Sequence, residues 1–340
     1  EEMARRIGKH KCFKINYPKD CKDANDVILK KSTIALFELI DLASAYPVSG
    51  LYDASQFYKN LDSLYSDGFG KGESTGFDNV DELYTVVKSQ LTIVTGHPSS
   101  GKSEFIDQLM VNLAVNKGWK FAVASFENQP EIHLAKIISK YKKKPFFDGL
   151  NPRLTQEELD DGKDFIKKHF YFVHQRDGSL SSIDSLLERI RISVLRYGTN
   201  AVVIDPYNYI MRPTDEQETA FVSSLLSKIR VFAQTYDIHV WLVAHPTKMM
   251  RDSSGKVPPP MAYDISGSAH FFSKTDCGIT IHRPDPANSN ITEVHCWKCR
   301  YSWVGQQGQT ILSYDGLTST YKPFEPYKGI DELFTDAPDF

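Results

Sequence analysis

Leu91-Thr92-Ile93-Val94-Thr95-Gly96-His97-Pro98-Ser99-Ser100-Gly101-Lys102-Ser103 decides the reading of this chain. The first five residues form an apolar run suited to a buried strand, and the last eight fit the pattern G-x-x-x-x-G-K-[ST]. An amphipathic helical pattern runs on from Lys102 to Asn116. In that strand, loop and helix context the glycines let the loop curl, so that backbone N–H groups and the helix N-terminus face the phosphates of a nucleotide. Lys102 then reaches the β and γ phosphates, and the Ser103 hydroxyl ligates Mg²⁺. Gly96, Pro98, Ser99, Ser100, Gly101, Lys102 and Ser103 are therefore the expected nucleotide contacts, with ATP and Mg²⁺ as the expected cofactors.

Outward from the loop, strand and helix patterns alternate, which predicts an α/β fold with a mostly parallel sheet. Strands are expected at Phe121 to Phe126, Ala201 to Ile204 and His239 to Ala244, with helices over 130–141, 155–168 and 181–196. Alternating runs at Gly278 to Arg283, Thr292 to Arg300 and Gln309 to Tyr314 predict further strands, and the last 25 residues look irregular. Several expected strands end on polar residues, and open α/β sheets bind their ligands at strand C-termini. Asp205 ends one and is the expected Mg²⁺ partner of Ser103. Glu127 follows another and suits the group that orients or deprotonates the attacking water. His245 ends a third and is placed to sense the γ-phosphate.

Bulk properties limit the alternatives. The 340 residues are 41% hydrophobic and carry a formal charge of -3, enough chain for one large domain and a smaller one. An acidic balance excludes a protein that coats nucleic acid along its whole surface, so any contact with DNA must be concentrated. The five cysteines have irregular spacing and read as reduced thiols of an intracellular protein. Cys296 and Cys299 form a C-x-x-C, but three-apart positions on a regular strand face opposite sides, which argues against a metal site. No apolar run is long enough for a membrane span and no signal peptide is visible, so cytoplasm, host cytoplasm or an organelle matrix is expected and a membrane is not. The chain opens on Glu1 rather than Met, as expected of a piece of a longer protein. Helical patterns over 27–45 and Asp53 to Tyr65 precede the nucleotide-binding region.

Taken in order, these motifs resemble the RecA-like hexameric replicative helicases, in particular the phage primase-helicase and Twinkle-like branch. The resemblance is carried by Ser74-Thr75-Gly76-Phe77-Asp78-Asn79-Val80-Asp81, the phosphate loop, Ser125-Phe126-Glu127, Asp205-Pro206-Tyr207-Asn208, Val243-Ala244-His245-Pro246, Gly267-Ser268-Ala269 and Lys298-Cys299-Arg300. It implies a RecA-like P-loop core acting as an ATP-driven 5′ to 3′ DNA helicase motor. A homo-oligomeric ring, a hexamer in the family, would translocate on single-stranded DNA, with primase and polymerase as partners. It also implies that Lys298 and Arg300 are fingers reaching a neighbouring subunit's ATP site, and that the loop from Lys248 to Gly267 lines a DNA channel through Lys248, Arg251, Lys256, Gly267 and Ser268. Pro18 to Asp26 resembles the closing segment of a Toprim domain. The implied organisation is a Toprim remnant over 1–35, a helical linker over 36–73 and the helicase ATPase domain over 74–340. A RecA-type recombination ATPase and a non-motor nucleotide switch or scaffold are the rival readings. Lys142-Lys143-Lys144 reads as solvated surface.

Overall fold

The computed structural model describes residues 2–48, 50–174, 181–250, 257–265 and 268–324. The chain divides into two compact units, Glu1–Phe69 and Gly70–Phe340. The first contains α1 (Glu2–Ile7), β1 (Phe13–Lys14), α2 (Ala24–Lys30), α3 (Thr33–Asp41), β2 (Ser44–Ala45) and α4 (Tyr58–Asp67). The single helix expected over 27–45 is two helices. Asp23 caps α2 through Asp26 N, and Ser32 caps α3 through Ala35 N, so a second start signal breaks the run. Among the described residues of this unit only Ala4, Cys21 and Val27 are buried apolar side chains, and α4 leaves Tyr58, Leu61, Leu64 and Tyr65 exposed.

The second unit runs α5 (Asp78–Asp81), β3 (Leu91–Thr95), α6 (Lys102–Lys117), β4 (Phe121–Ser125), α7 (Pro130–Lys142), α8 (Gln156–His169), β5 (Phe170–Phe172), α9 (Ile183–Tyr197), β6 (Ala201–Asp205), α10 (Glu218–Tyr236), β7 (His239–Val243), α11 (Ser268–Lys274), β8 (Cys277–His282), β9 (Ile291–Cys299), β10 (Gly308–Asp315) and β11 (Thr320–Pro323). Its nine-stranded sheet has the order β11-β10-β9-β8-β3-β7-β6-β4-β5. Pairing is parallel from β8 through β5, and β9, β10 and β11 add an antiparallel meander at one edge. The central strands are apolar without a break because both faces are covered. Along β6, Val203 enters the core on the α6 side while Val202 and Ile204 enter the core beneath α9 and α10; β7 repeats this with Trp241 and Val243 against Val240 and Leu242.

Three local expectations need correction. Helix α6 is not amphipathic: Phe105 to Val111 are buried without interruption, and its exposed residues are confined to the last turn, Val115 to Lys117. Helix α10 and strand β11 fall where the sequence reading assigned no element. The C-x-x-C does not straddle the sheet, because β8 and β9 shift register between Gly278 and Ile279, leaving Trp297 as an extra residue that packs across Gly278. The bulge resets the alternation, so Cys299 lies opposite Cys277 with their sulfurs 3.9 Å apart. Among the described residues no group of three or more His, Cys, Asp or Glu side chains is arranged to hold a metal ion, and no helix is long and apolar enough to cross a membrane.

Candidate active site

Strand β3 delivers the phosphate loop at its C-terminal end. Gly96 sits at φ 153°, and a Cβ there would come within 2.3 Å of the Ile281 carbonyl oxygen on neighbouring β8. Gly101, at φ 93°, occupies the N-cap of α6, and a Cβ there would meet the Tyr321 hydroxyl at 2.5 Å. Glycine is therefore required at both positions for backbone shape and for space. The Lys102 Nζ donates to the carbonyls of Gly96 and His97, each at 2.9 Å, and so spans the concavity of the loop. Burial lowers the Lys102 pKa, opposed by the nearby Asp205 and Glu127 carboxylates.

Below the loop, the Ser103 hydroxyl donates to Asp205 Oδ2 at 2.5 Å. Asp205 ends β6 before a cis bond to Pro206 and is only 4% exposed. Burial raises its pKa, and the Ser103 hydrogen bond opposes that rise. A hydroxyl and a carboxylate oxygen converging beside a phosphate loop are hard oxygen donors that fit a Mg²⁺ ion. Past the end of β4, Glu127 Oε1 lies 3.3 Å from His245 Nε2, just past β7. Four neighbouring strand ends thus bring together Lys102, Ser103, Asp205, Glu127 and His245, as expected from the sequence.

With Asp205 buried against Ser103, the side chains of Lys102, Ser103, Glu127 and His245 line a cleft of about 540 Å³. Its far wall is Arg283, Tyr314 and Tyr321, none of them anticipated from sequence. The Arg283 guanidinium sits 5.6 Å from the Tyr314 ring centroid, a planar cation against an aromatic face. Lys136 and Glu104 form an ion pair at 2.8 Å at the same cleft, and the buried Lys140 bonds Glu104 as well. The signal that could have found Arg283 is its place directly after β8, the strand beside β3.

Two expected residues lie elsewhere. Arg300 follows β9, which runs antiparallel to its neighbours, so its backbone N–H reaches the carbonyl of Asp276, which itself bonds Leu91 at the start of β3. The phosphate loop leaves the other end of β3. At about 3.3 Å per residue the two ends of that strand are roughly 15 Å apart. Arg300 and Lys298 are consequently absent from the lining of their own cleft. Lys298 donates to the Phe272 carbonyl and lies 4.9 Å from that ring, with its pKa lowered by burial and then by Arg300.

Of the expected DNA contacts, Lys248 is exposed; Arg251, Lys256 and Gly267 lie outside the described residues, and Ser268 is described only as the first residue of α11. The ends of that loop are pinned together by a Pro246–Ile265 bridge and by Thr247 N donating to the Asp264 carbonyl at 2.7 Å. His97 of the phosphate loop donates to the Pro258 carbonyl at 2.9 Å. The lysine run is surface: Lys142 pairs with Asp161 and Lys144 with Glu158.

With this geometry in place, the sequence matches the family described as DnaB-like helicase C terminal domain over residues 72–322. The chain belongs to the DnaB-like helicase family. It is 42% identical to the Twinkle homolog protein, chloroplastic/mitochondrial, of Arabidopsis thaliana, covering 98% of this chain and 49% of that protein. It is 22% identical to the replicative DNA helicase DnaB of Geobacillus stearothermophilus, over 89% of this chain and 69% of that one. The chain thus spans about half the length of its Twinkle-type relative. A solved ATPase domain shares the fold, with a TM-score of 0.68 at 17% identity over 80% of this chain and 100% of that domain. A DnaB-like replicative helicase described with its primase interactions gives 0.64 at 16% identity over 88% and 74%.

Proposed function

We propose that this DnaB-like chain is the ATP-hydrolysing motor of a replicative DNA helicase that moves along single-stranded DNA as a ring. The observation that carries the reading is the convergence of Lys102, the Ser103–Asp205 pair, Glu127 and His245 at one cleft of a DnaB-like domain. ATP binds with its phosphates in the loop, where Lys102 exchanges the Gly96 and His97 carbonyls for phosphate oxygens. Ser103 and Asp205 would hold the Mg²⁺, whose charge would offset that of the phosphates. Glu127 orients the attacking water and accepts its proton, and His245, in contact with Glu127, reads the presence of the γ-phosphate. Arg283 and Tyr314 hold the base end of the nucleotide. Arg300, with Lys298 beside it, completes the cleft of the adjacent subunit, and a hexamer is the ring expected of the family.

The loop after His245 supplies the DNA contacts through Lys248, Arg251, Lys256, Gly267 and Ser268, with 5′ to 3′ polarity. Residues 1–35 close a Toprim-like region, 36–73 form the linker, and 74–340 are the motor. Primase and polymerase are proposed partners, the first in keeping with the primase interactions described for a structural relative, and an organelle matrix is the proposed compartment given the Twinkle-type relative.

The test is ATP turnover with and without single-stranded DNA, alongside strand displacement on a forked duplex. Stimulation by the strand is expected, with Lys102→Ala inactive in both assays. Nucleotide binding without stimulation or strand displacement would replace the motor with a nucleotide switch.

A further inference from the structure

Asp276 is a buried carboxylate, 3% exposed, that the nucleotide cleft does not use. It precedes β8 at the end of the sheet opposite the phosphate loop. Its Oδ1 forms ion pairs with Arg300 Nε at 2.8 Å and with an Arg230 Nη from α10 at 3.2 Å. Its Oδ2 accepts the backbone N–H of Leu91 at 3.1 Å, the first residue of the strand that carries the phosphate loop. Its main chain repeats both links: Asp276 N donates to Leu91 O at 2.9 Å, and Asp276 O accepts from Arg300 N at 2.8 Å. Arg300 Nη2 is further held by the Ser273 and Thr275 carbonyls at 3.4 and 3.1 Å. One edge of the guanidinium is therefore fixed, while Nη1 makes no hydrogen bond among the described residues and the side chain is 30% exposed. A free arginine loses rotamer entropy when it is fixed.

We infer that Asp276 is a positioning residue that presets Arg300 for the neighbouring subunit's ATP site and joins it rigidly to the strand bearing this chain's own phosphate loop. The clasp removes the entropy of ordering the finger at each catalytic encounter, because the side chain already stands in a fixed rotamer with its remaining N–H groups outward. Through Leu91 it also ties the finger to the start of β3, whose other end carries the phosphate loop, which links the two sites mechanically. The inference rests on reading Arg300 as a finger acting in trans.

Mixed assemblies of the full chain separate the two ideas. Asp276→Asn keeps the side chain's size and an acceptor for Leu91 but removes the charge that holds Arg300. Alone, it is expected to lower kcat by about tenfold or more, part of the thousandfold or greater value of such a finger, with KM for ATP within about twofold of wild type. Lys102→Ala is inactive alone but keeps its finger and clasp. Mixing the two supplies each Asp276→Asn cleft with an intact finger from a Lys102→Ala neighbour, so turnover per Asp276→Asn chain should rise severalfold; a general loss of folding would not be rescued this way. Arg300→Ala mixed with Lys102→Ala is the reference. If that pair regains activity and Asp276→Asn does not, or if Asp276→Asn alone turns over normally, the positioning role is overturned while the finger stands. If neither pair regains activity, the trans finger itself is wrong. Should Asp276→Asn fail to assemble, Asp276→Glu, which keeps the charge and shifts it by one methylene, is read in the same mixtures with a smaller loss and the same recovery.

Discussion

Asp205 and Glu127 stand in different surroundings, and the proposed division of work between them follows from that difference. Asp205 is buried against Ser103 with its pKa raised by desolvation, whereas Glu127 is 44% exposed beside His245. If Ser103 and Asp205 hold Mg²⁺ as proposed, the raised pKa predicts that its retention weakens as pH falls, beginning above the range of an ordinary exposed carboxylate. Asp205→Asn is expected to abolish Mg²⁺-dependent turnover and that acid limb together, while nucleotide still binds in metal-free buffer, as a fluorescent analogue would report. Glu127→Gln should retain Mg²⁺ and nucleotide but lose about 10² to 10⁴ in kcat, the usual value of a placed general base. Equal loss of binding in that variant would make Glu127 a structural residue. The places of Lys102, Ser103, Glu127, Asp205 and His245 were legible in the sequence because each ends, directly follows or opens an element at one end of the sheet. Tyr314 was not, since nothing local marks a residue that faces the cleft from a neighbouring strand; Arg283 directly follows β8 in the same way, but the alternating run read as a strand from Gly278 to Arg283 absorbed it.

At the scale of elements, the sheet's other end is secured by polar groups inside the core. His239 opens β7 fully buried; its Nδ1 donates to the Val87 carbonyl at 2.6 Å, and its Nε2 accepts from the Tyr84 hydroxyl at 3.1 Å. Trp241 Nε1 in turn donates to that hydroxyl at 3.0 Å. This arrangement requires neutral imidazole, and burial lowers the His239 pKa from 6.5 to about 4. The native state therefore refuses a proton that the unfolded chain accepts, so stability is complete above pH 6.5 and falls as the pH drops toward 4. The loss approaches about 3 kcal/mol at 1.36 kcal/mol per pKa unit. Melts across that window should show a smaller slope for His239→Gln than for wild type, and parallel slopes would remove His239 as the cause. The β8–β9 bulge is a second such device. A Cβ on Gly278 would lie 2.1 to 2.2 Å from Trp297 ring atoms, so Gly278→Ala is expected to cost about 1–3 kcal/mol by overpacking and to lower the melting temperature. The bulge was invisible in sequence because strand alternation assumes an unbroken register, and that assumption put Cys296 and Cys299 on opposite faces. Helix α10 escaped notice for a different reason. Its apolar positions Phe221, Val222, Leu225, Leu226 and Ile229 have helical spacing, but Gln217 supplies no side-chain cap and Asp237 rather than glycine ends it in the left-handed region, so neither boundary is punctuated.

The whole molecule carries more exposed apolar surface than the second unit's closed core requires, and much of it lies in residues 1–69. Helix α4 leaves Tyr58, Leu61 and Tyr65 exposed at 57%, 57% and 92%, three positions with helical spacing on an element that buries no residue of its own. A contiguous apolar face of that kind on a short helix calls for a cover. A motor whose Arg300 stands at the opposite end of the sheet from its own phosphate loop needs an adjacent copy at close range. On the proposed ring reading, one occupant meets both needs: the neighbouring subunit, with α4 as the linker helix that docks on it. Leu61→Asp with Tyr65→Asp should then shift the chain from ring to smaller species in light scattering at micromolar concentration. Single-strand-stimulated turnover should fall in proportion to the ring population, while nucleotide binding to the isolated phosphate loop stays unchanged. Turnover that survives in demonstrably monomeric protein would dismiss the shared active site, because a self-contained cleft gains nothing from a neighbour. Disassembly without loss of turnover per remaining ring is the result that assigns α4 to assembly and leaves the chemistry to the cleft.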